Sequence, residues 1–437
     1  MAYILLIATV VIIIWSLKDP FVGLLGVLML NILRPGEVYP AFAALHLERV
    51  TAIVVLASTL AHLRGFATPK ITRAVLFFWG TMILSIPMAY WVGNSIGFTI
   101  QFGQVVVYHL LIVTLVNTEQ RFRTFVLTFS VLIGWLAATS LYMYMAGKFI
   151  VRMGIDRAVG VTSAGDDPNT LANTLVSGLP LILLLLTRDS GKKIKLLAFA
   201  VAGISLFGVI LTGSRTGFFS MVVLIGAFFA TRQKRFIYVP VMAGALALAW
   251  LFIPQQYKER YETVSHLDKD DSYQNRLRAW QAGWNMFKAN PITGMGAGNF
   301  TYAAGGEYWP GEGRKIWLNA HSLPLKALGE LGLLGTSAFI FMVVTLFKLN
   351  GQLKRRLAGS DLHSVLRFYP VACNFSVFVL LVAGYASHNL YRNTWFMLAA
   401  TSGALQMILD ARDRAQREAA DTTETPGDPA PTTSAYS

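Results

Sequence analysis

RDSGKKIKLLAFAVAGISLFGVILTGSRTG, running from Arg188 to Gly217, decides the fold. It opens with a basic cluster, Arg188, Lys192, Lys193 and Lys195, and then carries no charge until Arg215. A helix over 193–212 would be about 30 Å long, the thickness of a bilayer's hydrocarbon core. A second apolar run, 216–230, follows Arg215 at once and leaves no room for a loop in water. The reading is two membrane helices joined by a tight turn, with one arginine at the turn.

The same pattern recurs along the chain. Of 437 residues, 54% are hydrophobic and 14% charged, against roughly 25% charged in an ordinary soluble domain. Mean hydropathy is +0.52. Expected spans are 2–16, 20–33, 47–63, 73–90, 96–116, 122–146, 170–187, 193–212, 216–230, 235–252, 329–349, 366–384 and 390–409. The runs are continuous rather than alternating, which excludes a membrane β-barrel. The expectation is an all-α polytopic membrane protein with about 12–13 transmembrane helices. The first run lacks a basic leader and a small-residue cleavage site, so it reads as a retained span. The single cysteine, Cys373, lies inside an apolar run and permits no intrachain disulfide.

The net charge of +14 would suggest nucleic acid in a soluble protein. Here the basic residues cluster between spans: Arg121 and Arg123; the 188–195 group; Arg232, Lys234 and Arg235; Lys354, Arg355 and Arg356; and Arg412, Arg414 and Arg417. These alternate as the positive-inside rule requires and are expected in the cytoplasm, so no nucleic-acid partner is expected. Loops 34–46, 91–95, 147–169, 253–320 and 385–389 then face outward. The chain divides into an N-terminal bundle (1–252), an outer segment (253–320), C-terminal membrane helices (321–410) and a disordered cytoplasmic tail (411–437).

The outer segment is rich in aromatics. Within it, 272–289 reads as a helix, with Asp271 and Gln274 forming a capping box and Pro291 beyond its end. Leu277, Trp280, Trp284 and Phe287 share a face. That face could lie on the membrane surface, stack on sugar rings, or do both.

Three places put polar chemistry at a membrane boundary. Arg215, flanked by Gly213 and Gly217, is either a snorkelling interface arginine or a clamp for phosphate, which guanidinium binds bidentately. Arg276 and Trp280 are i, i+4 neighbours, while Arg278 points nearly the opposite way. Arg276 is therefore expected to face the bundle and Arg278 water. His321, in Asn319-Ala320-His321-Ser322, sits where the chain re-enters the membrane. It is either a structural hydrogen-bonding group or a general base, and His388 in Ser387-His388-Asn389 competes for that role. Gly294-Met-Gly296-Ala-Gly298-Asn299 follows a helix rather than a strand and reads as a tight turn, not a nucleotide loop. Asp268, Asp270 and Asp271 read as charge at a helix N-terminus rather than a metal site. A transporter is the main rival class, but acidic relays within the spans and an inverted repeat are missing.

Taken in order, these motifs resemble the O-antigen ligase and polymerase superfamily of bacterial envelope glycosyltransferases. The resemblance rests on Asp167-Pro-Asn169-x-Leu-Ala172, Thr212-Gly-Ser-Arg215-Thr-Gly217, Arg276-x-x-x-Trp280, Asn290-Pro-Ile-x-Gly294-x-Gly296-x-Gly-Asn-Phe300, Ala320-His321-Ser322 and Glu330-Leu-Gly332-x-x-Gly335. It is strongest from about 160 to 340. It implies a GT-C-like, inverting, metal-independent transferase without a cofactor, in the bacterial inner membrane and with a periplasmic active site. The donor would be a glycan on undecaprenyl diphosphate. The acceptor would be lipid A–core for a ligase, another glycan chain for a polymerase, or a protein in related enzymes. Many relatives carry His-Asn where this chain has His321-Ser322, which leaves the subfamily open. On this reading His321 deprotonates the acceptor, Arg215 and Arg276 hold the diphosphate, and Asn169, Trp280, Asn319 and His388 are further candidates for substrate contact. Membrane lipids are the remaining expected partners.

Overall fold

The computed structural model describes residues 2–62, 65–152, 154–162, 167–230, 255, 271–311 and 315–423. Its elements are α1 (Ala2–Ser16), α2 (Pro20–Leu33), α3 (Pro35–Val38), α4 (Pro40–Ala43), α5 (Leu47–His62), α6 (Lys70–Leu84), α7 (Val92–Leu115) and α8 (Glu119–Met145). A short antiparallel hairpin follows, β1 (Ile150–Arg152) and β2 (Ile155–Arg157). Then come α9 (Pro168–Leu183), α10 (Lys192–Leu211), α11 (Arg215–Ala230), α12 (Asp271–Ala289), α13 (Phe300–Gly305), α14 (Leu323–Arg356), α15 (Ser364–Gly384) and α16 (Asn393–Thr423). The expected span 235–252 lies outside the described residues; each of the others coincides with a helix.

Among the described residues, eight helical segments are long and apolar enough to cross a membrane, and α1 and α11 contain shorter apolar helices. The chain is an all-α polytopic membrane protein. Helix starts follow local chemistry. Asp19 accepts from the Phe21 amide ahead of α2, Thr118 from Arg121 ahead of α8, and Asp167 from Thr170 ahead of α9. Proline stands at the first helical position after Asp19 and Asp167, where its missing amide costs nothing.

The connections gather at two ends of the bundle. At one end Asp19 pairs with Arg121 at 2.9 Å, Glu119 accepts from the His363 amide, Asp189 accepts from Ser364, and Arg412 meets Asp361 at 2.6 Å. The basic clusters around 121, 188–195, 354–356 and 412–417 share this end. At the other end Tyr90 N donates to the Met295 carbonyl, Asn94 Nδ2 to Gly298 O, Ala158 N to Leu211 O, and Arg392 to Thr174 Oγ1. Alternation of the charged loops thus corresponds to a real division of the fold.

Phe78 is fully buried at the junction of α6, α7, α14 and α16, with the rings of Phe102, Phe339 and Phe396 at 5.7–6.0 Å. Between α14, α15 and α16, Asn350 donates to Asn374 and accepts from Ser402 at 2.8 and 2.9 Å. Such side-chain bonds join helices that lipid cannot drive together by hydrophobicity. The last helix continues to Thr423, through the first part of the tail expected to be disordered. Arg356 explains the extension: it bridges Asp410 and Asp413 at 2.7 Å each and so ties the helix back to α14.

Candidate active site

The turn between α10 and α11 is built residue by residue. Gly213 takes φ +55°, a left-handed conformation that glycine adopts without cost. Ser214 Oγ accepts from the Gly217 amide and so caps α11. A side chain at Gly217 would run into Ala172 of α9, so glycine there lets α11 approach α9. Asn169 Oδ1 accepts from Ser214 Oγ at 2.8 Å and from the Arg157 guanidinium at 3.2 Å. Arg157, only 2% exposed, also donates to the Thr212 carbonyl at 2.7 Å. These contacts fix the position of Arg215, the first residue of α11.

The outer segment is attached to α14 by an exchange of backbone hydrogen bonds. Gly332 breaks the helix with φ +60° and ψ −158°. The amides freed beyond it, Leu333 and Leu334, donate to the carbonyls of Pro291 and Ile292 at 2.8 and 3.0 Å. The Gly329 carbonyl accepts from Met295 N at 2.9 Å. Gly294, Gly296 and Gly298 all take positive φ, as a tight turn requires. Glu330, fully buried, accepts from the amides of Gly298 and Phe300 at 3.0 Å and from the Tyr391 hydroxyl at 2.7 Å. The glycine-rich turn and the Glu330-Leu-Gly332 motif are two halves of one joint.

That joint sets α12 against α14. Its buried side is Ala279, Ala282, Gly283 and Met286, whereas Leu277 and Trp284 are exposed. The part of the aromatic face formed by Leu277 and Trp284 is thus turned away from the bundle. Small residues take the packed side because α12 approaches closely: a side chain at Gly283 would press on Phe300. Arg276 and Trp280 turn towards the bundle and Arg278 is exposed.

Arg215 and Arg276 line one cavity of about 510 Å³, with Thr216, Phe219, Tyr273, Val382, Tyr385 and Ala386. This volume falls in the ordinary range for a ligand site. The segment after Tyr385 leads to His388, whose ring lies edge-on to His321 at a centroid separation of 5.0 Å. His321 has φ +43°, in the left-handed region, which places its ring at the top of α14. Lys326, one turn into α14, is nearly buried; its ammonium lies 3.4 Å from Asn319 Oδ1, 3.8 Å from Glu330 Oε1 and 5.5 Å from the Tyr391 ring centre.

These cations shape the histidines. Burial and the Arg276 guanidinium push His321 down to about 4, with Arg152 and Lys326 adding to the effect and Asp167 opposing it. Burial, Lys326, His321 and Arg392 push His388 down to about 3. Burial lowers Arg392 to about 10, against the pull of Asp167. Both imidazoles are therefore neutral at pH 7, each with a nitrogen free to accept a proton.

The structure brings Arg215, Arg276, Trp280, His321 and His388 to one end of the bundle. Asn319 holds Lys326, and the side-chain oxygen of Asn169 is taken up by Arg157 and Ser214. Asp268 and Asp270 lie outside the described residues. Sequence reasoning missed Arg157, Arg392 and Tyr385. Arg392 carried a usable signal, a cation near the outer end of the span expected over 390–409. Arg157 carried none, because its burial comes from a hairpin only three residues per strand.

Residues 199–340 match the family described as O-antigen ligase. This match, over about a third of the chain, supports a place in the O-antigen ligase and polymerase superfamily. The matched stretch contains Arg215, Arg276 and His321 together with both halves of the Glu330 joint, while Asn169 and His388 fall outside it. No curated protein matches the chain. The match points to glycosyltransferase activity of the O-antigen ligase and polymerase type.

Proposed function

We propose that this protein transfers a glycan from undecaprenyl diphosphate to a hydroxyl of lipid A–core, at the periplasmic face of the inner membrane. The observation that carries this reading is the convergence of Arg215 and Arg276, far apart in sequence, on one cavity, with Arg276 near enough to His321 to act on its charge. Two guanidiniums at a membrane boundary suit a lipid diphosphate, whose oxygens they can bind bidentately. The position of the basic clusters at the opposite end supports a cavity facing away from the cytoplasm. No nucleotide is expected there, so the donor must arrive already activated.

The acceptor oxygen attacks the anomeric carbon of the sugar joined to the diphosphate. The bond from that carbon to the phosphate oxygen breaks, and the diphosphate leaves with the electron pair. A single displacement inverts the anomeric centre. His321 takes the hydroxyl proton, while Arg215 and Arg276 stabilise the charge growing on the leaving group. In the empty protein His321 is a weak base, held down partly by Arg276. A bound diphosphate offsets that guanidinium charge, so His321 becomes a stronger base once the donor is in place.

The test is reconstitution of purified protein in detergent with lipid-linked glycan and three separate acceptors: lipid A–core, a second lipid-linked glycan, and a hydroxyl-bearing protein. A glycosylated lipid A–core band on a gel is expected. Product only with the second glycan or the protein would move the enzyme to another branch of the superfamily. Absence of any product would favour a transporter of lipid-linked glycan.

A further inference from the structure

Close to the arginine cavity the structure holds buried polar atoms without partners. Tyr385 and Ala386 line the cavity, and the next two residues are Ser387 and His388. Ser387 Oγ and His388 Nδ1 are buried without a hydrogen-bond partner, as is Nε1 of Trp280. A buried indole N–H normally finds an acceptor, and leaving one unpaired is costly. Trp280 stands one helical turn beyond Arg276, and its ring lies 6.0 Å from that of Tyr385 at 67°. Tyr385 is 68% exposed, so its ring can rotate off the indole when a ligand enters.

The displacement sets the order in which the reacting groups must lie: diphosphate, sugar ring, acceptor hydroxyl. The diphosphate belongs at Arg215 and Arg276, the reacting hydroxyl at His321. The atoms that must lie between are those of the sugar ring bonded to the diphosphate. A pyranose offers an apolar face to an aromatic ring and hydroxyl oxygens to an N–H donor. We propose that Trp280 and Tyr385, backed by Ser387 and His388, form the subsite for the sugar joined directly to the diphosphate. The proposal rests on the donor reading given above and assigns that donor's first sugar a position.

Two probes separate the proposal from the reading beneath it: undecaprenyl diphosphate without sugar, and the same lipid carrying its native glycan. Equilibrium binding of each is measured on the full-length protein in detergent. Trp280→Phe keeps a ring but removes the N–H. Tyr385→Ala alters an exposed side chain, so folding is expected to survive. Each variant is expected to weaken the glycan-bearing lipid roughly tenfold, as for one lost polar or stacking contact, and to leave the sugar-free lipid unchanged. Arg276→Lys is expected to weaken both probes. Wild-type binding of the glycan-bearing lipid in both aromatic variants, or equal weakening of the two probes, would overturn the subsite while leaving the diphosphate site standing. If wild-type protein binds neither probe, the donor reading falls and the subsite with it.

Discussion

At the residue scale, the tasks proposed for His321 and the two arginines are separable. His321→Ala is expected to keep donor affinity and lose turnover by about 10²- to 10⁴-fold, the usual contribution of a general base. Arg276→Lys keeps the charge but loses the planar fork, and a loss of roughly 10- to 100-fold in donor affinity is expected. Parallel measurement of donor binding and single-turnover rate on the purified variants distinguishes the two. A dead His388→Ala beside an active His321→Ala would transfer the base to His388. The pH profile gives an independent check. Because the folded protein depresses His321 to about 4, proton uptake that silences the free enzyme begins well below the usual imidazole range. The acid limb of kcat/KM for the donor is expected near pH 4, and that of kcat at higher pH, because bound diphosphate offsets Arg276. Coincident limbs near pH 6.5 would mean that His321 is neither buried nor coupled to Arg276 in solution.

At the scale of elements, Glu330 organises rather than reacts. Its carboxylate is occupied by two amides and a tyrosine hydroxyl, which leaves little capacity for substrate. Glu330→Ala strands those donors, at about 1–3 kcal/mol for each buried group left unpaired. The expected result is a marked fall in melting temperature in detergent, partly recovered by Glu330→Gln; unchanged melting with lost activity would show a chemical role instead. The sequence disclosed this joint only in pieces. The glycines of 294–298 announced a turn, but the span expected over 329–349 ran straight through Gly332, and the hydrogen bonds between the two depend on a three-dimensional register that no local pattern encodes. The same limit applied to α12. Periodicity correctly turned Arg276 inward and Arg278 outward. It could not rank a face of Ala279, Ala282 and Gly283 above one of Trp284 and Phe287, because close helix approach favours small residues whereas hydrophobicity scales favour large ones. The packing partner, α14, decides between the two faces.

At the scale of the whole molecule, the division of loops between two ends was the most legible feature, since hydrophobic length and charge alternation are both written locally. The meeting of His321 with His388 was not, because it requires the 315–322 and 385–392 loops to converge. Orientation in the membrane is open to direct test. The native thiol, Cys373, is buried, so background labelling is low. Gly311→Cys, exposed at the cavity end, is expected to react with an impermeant maleimide in spheroplasts, and Ala415→Cys, exposed on the final helix, only after lysis. The reverse pattern would put the arginine cavity in the cytoplasm and remove the case for a periplasmic reaction.

The break at Gly332 also bears on how such chains can be recombined. The amides of Leu333 and Leu334 are completed by carbonyls from the outer segment, and an outer-segment amide is completed by Gly329. Neither piece is a self-sufficient module. A chimera that imports 290–300 from a divergent relative while keeping the resident 323–335 is expected to accumulate poorly in membranes. One that imports 290–335 as a block is expected to accumulate normally, as quantified by fluorescence of a C-terminal reporter. Equal yields would mean that the crossover point is free. Otherwise, exchange of acceptor or donor preference between family members has to carry the top of a membrane helix along with the loop.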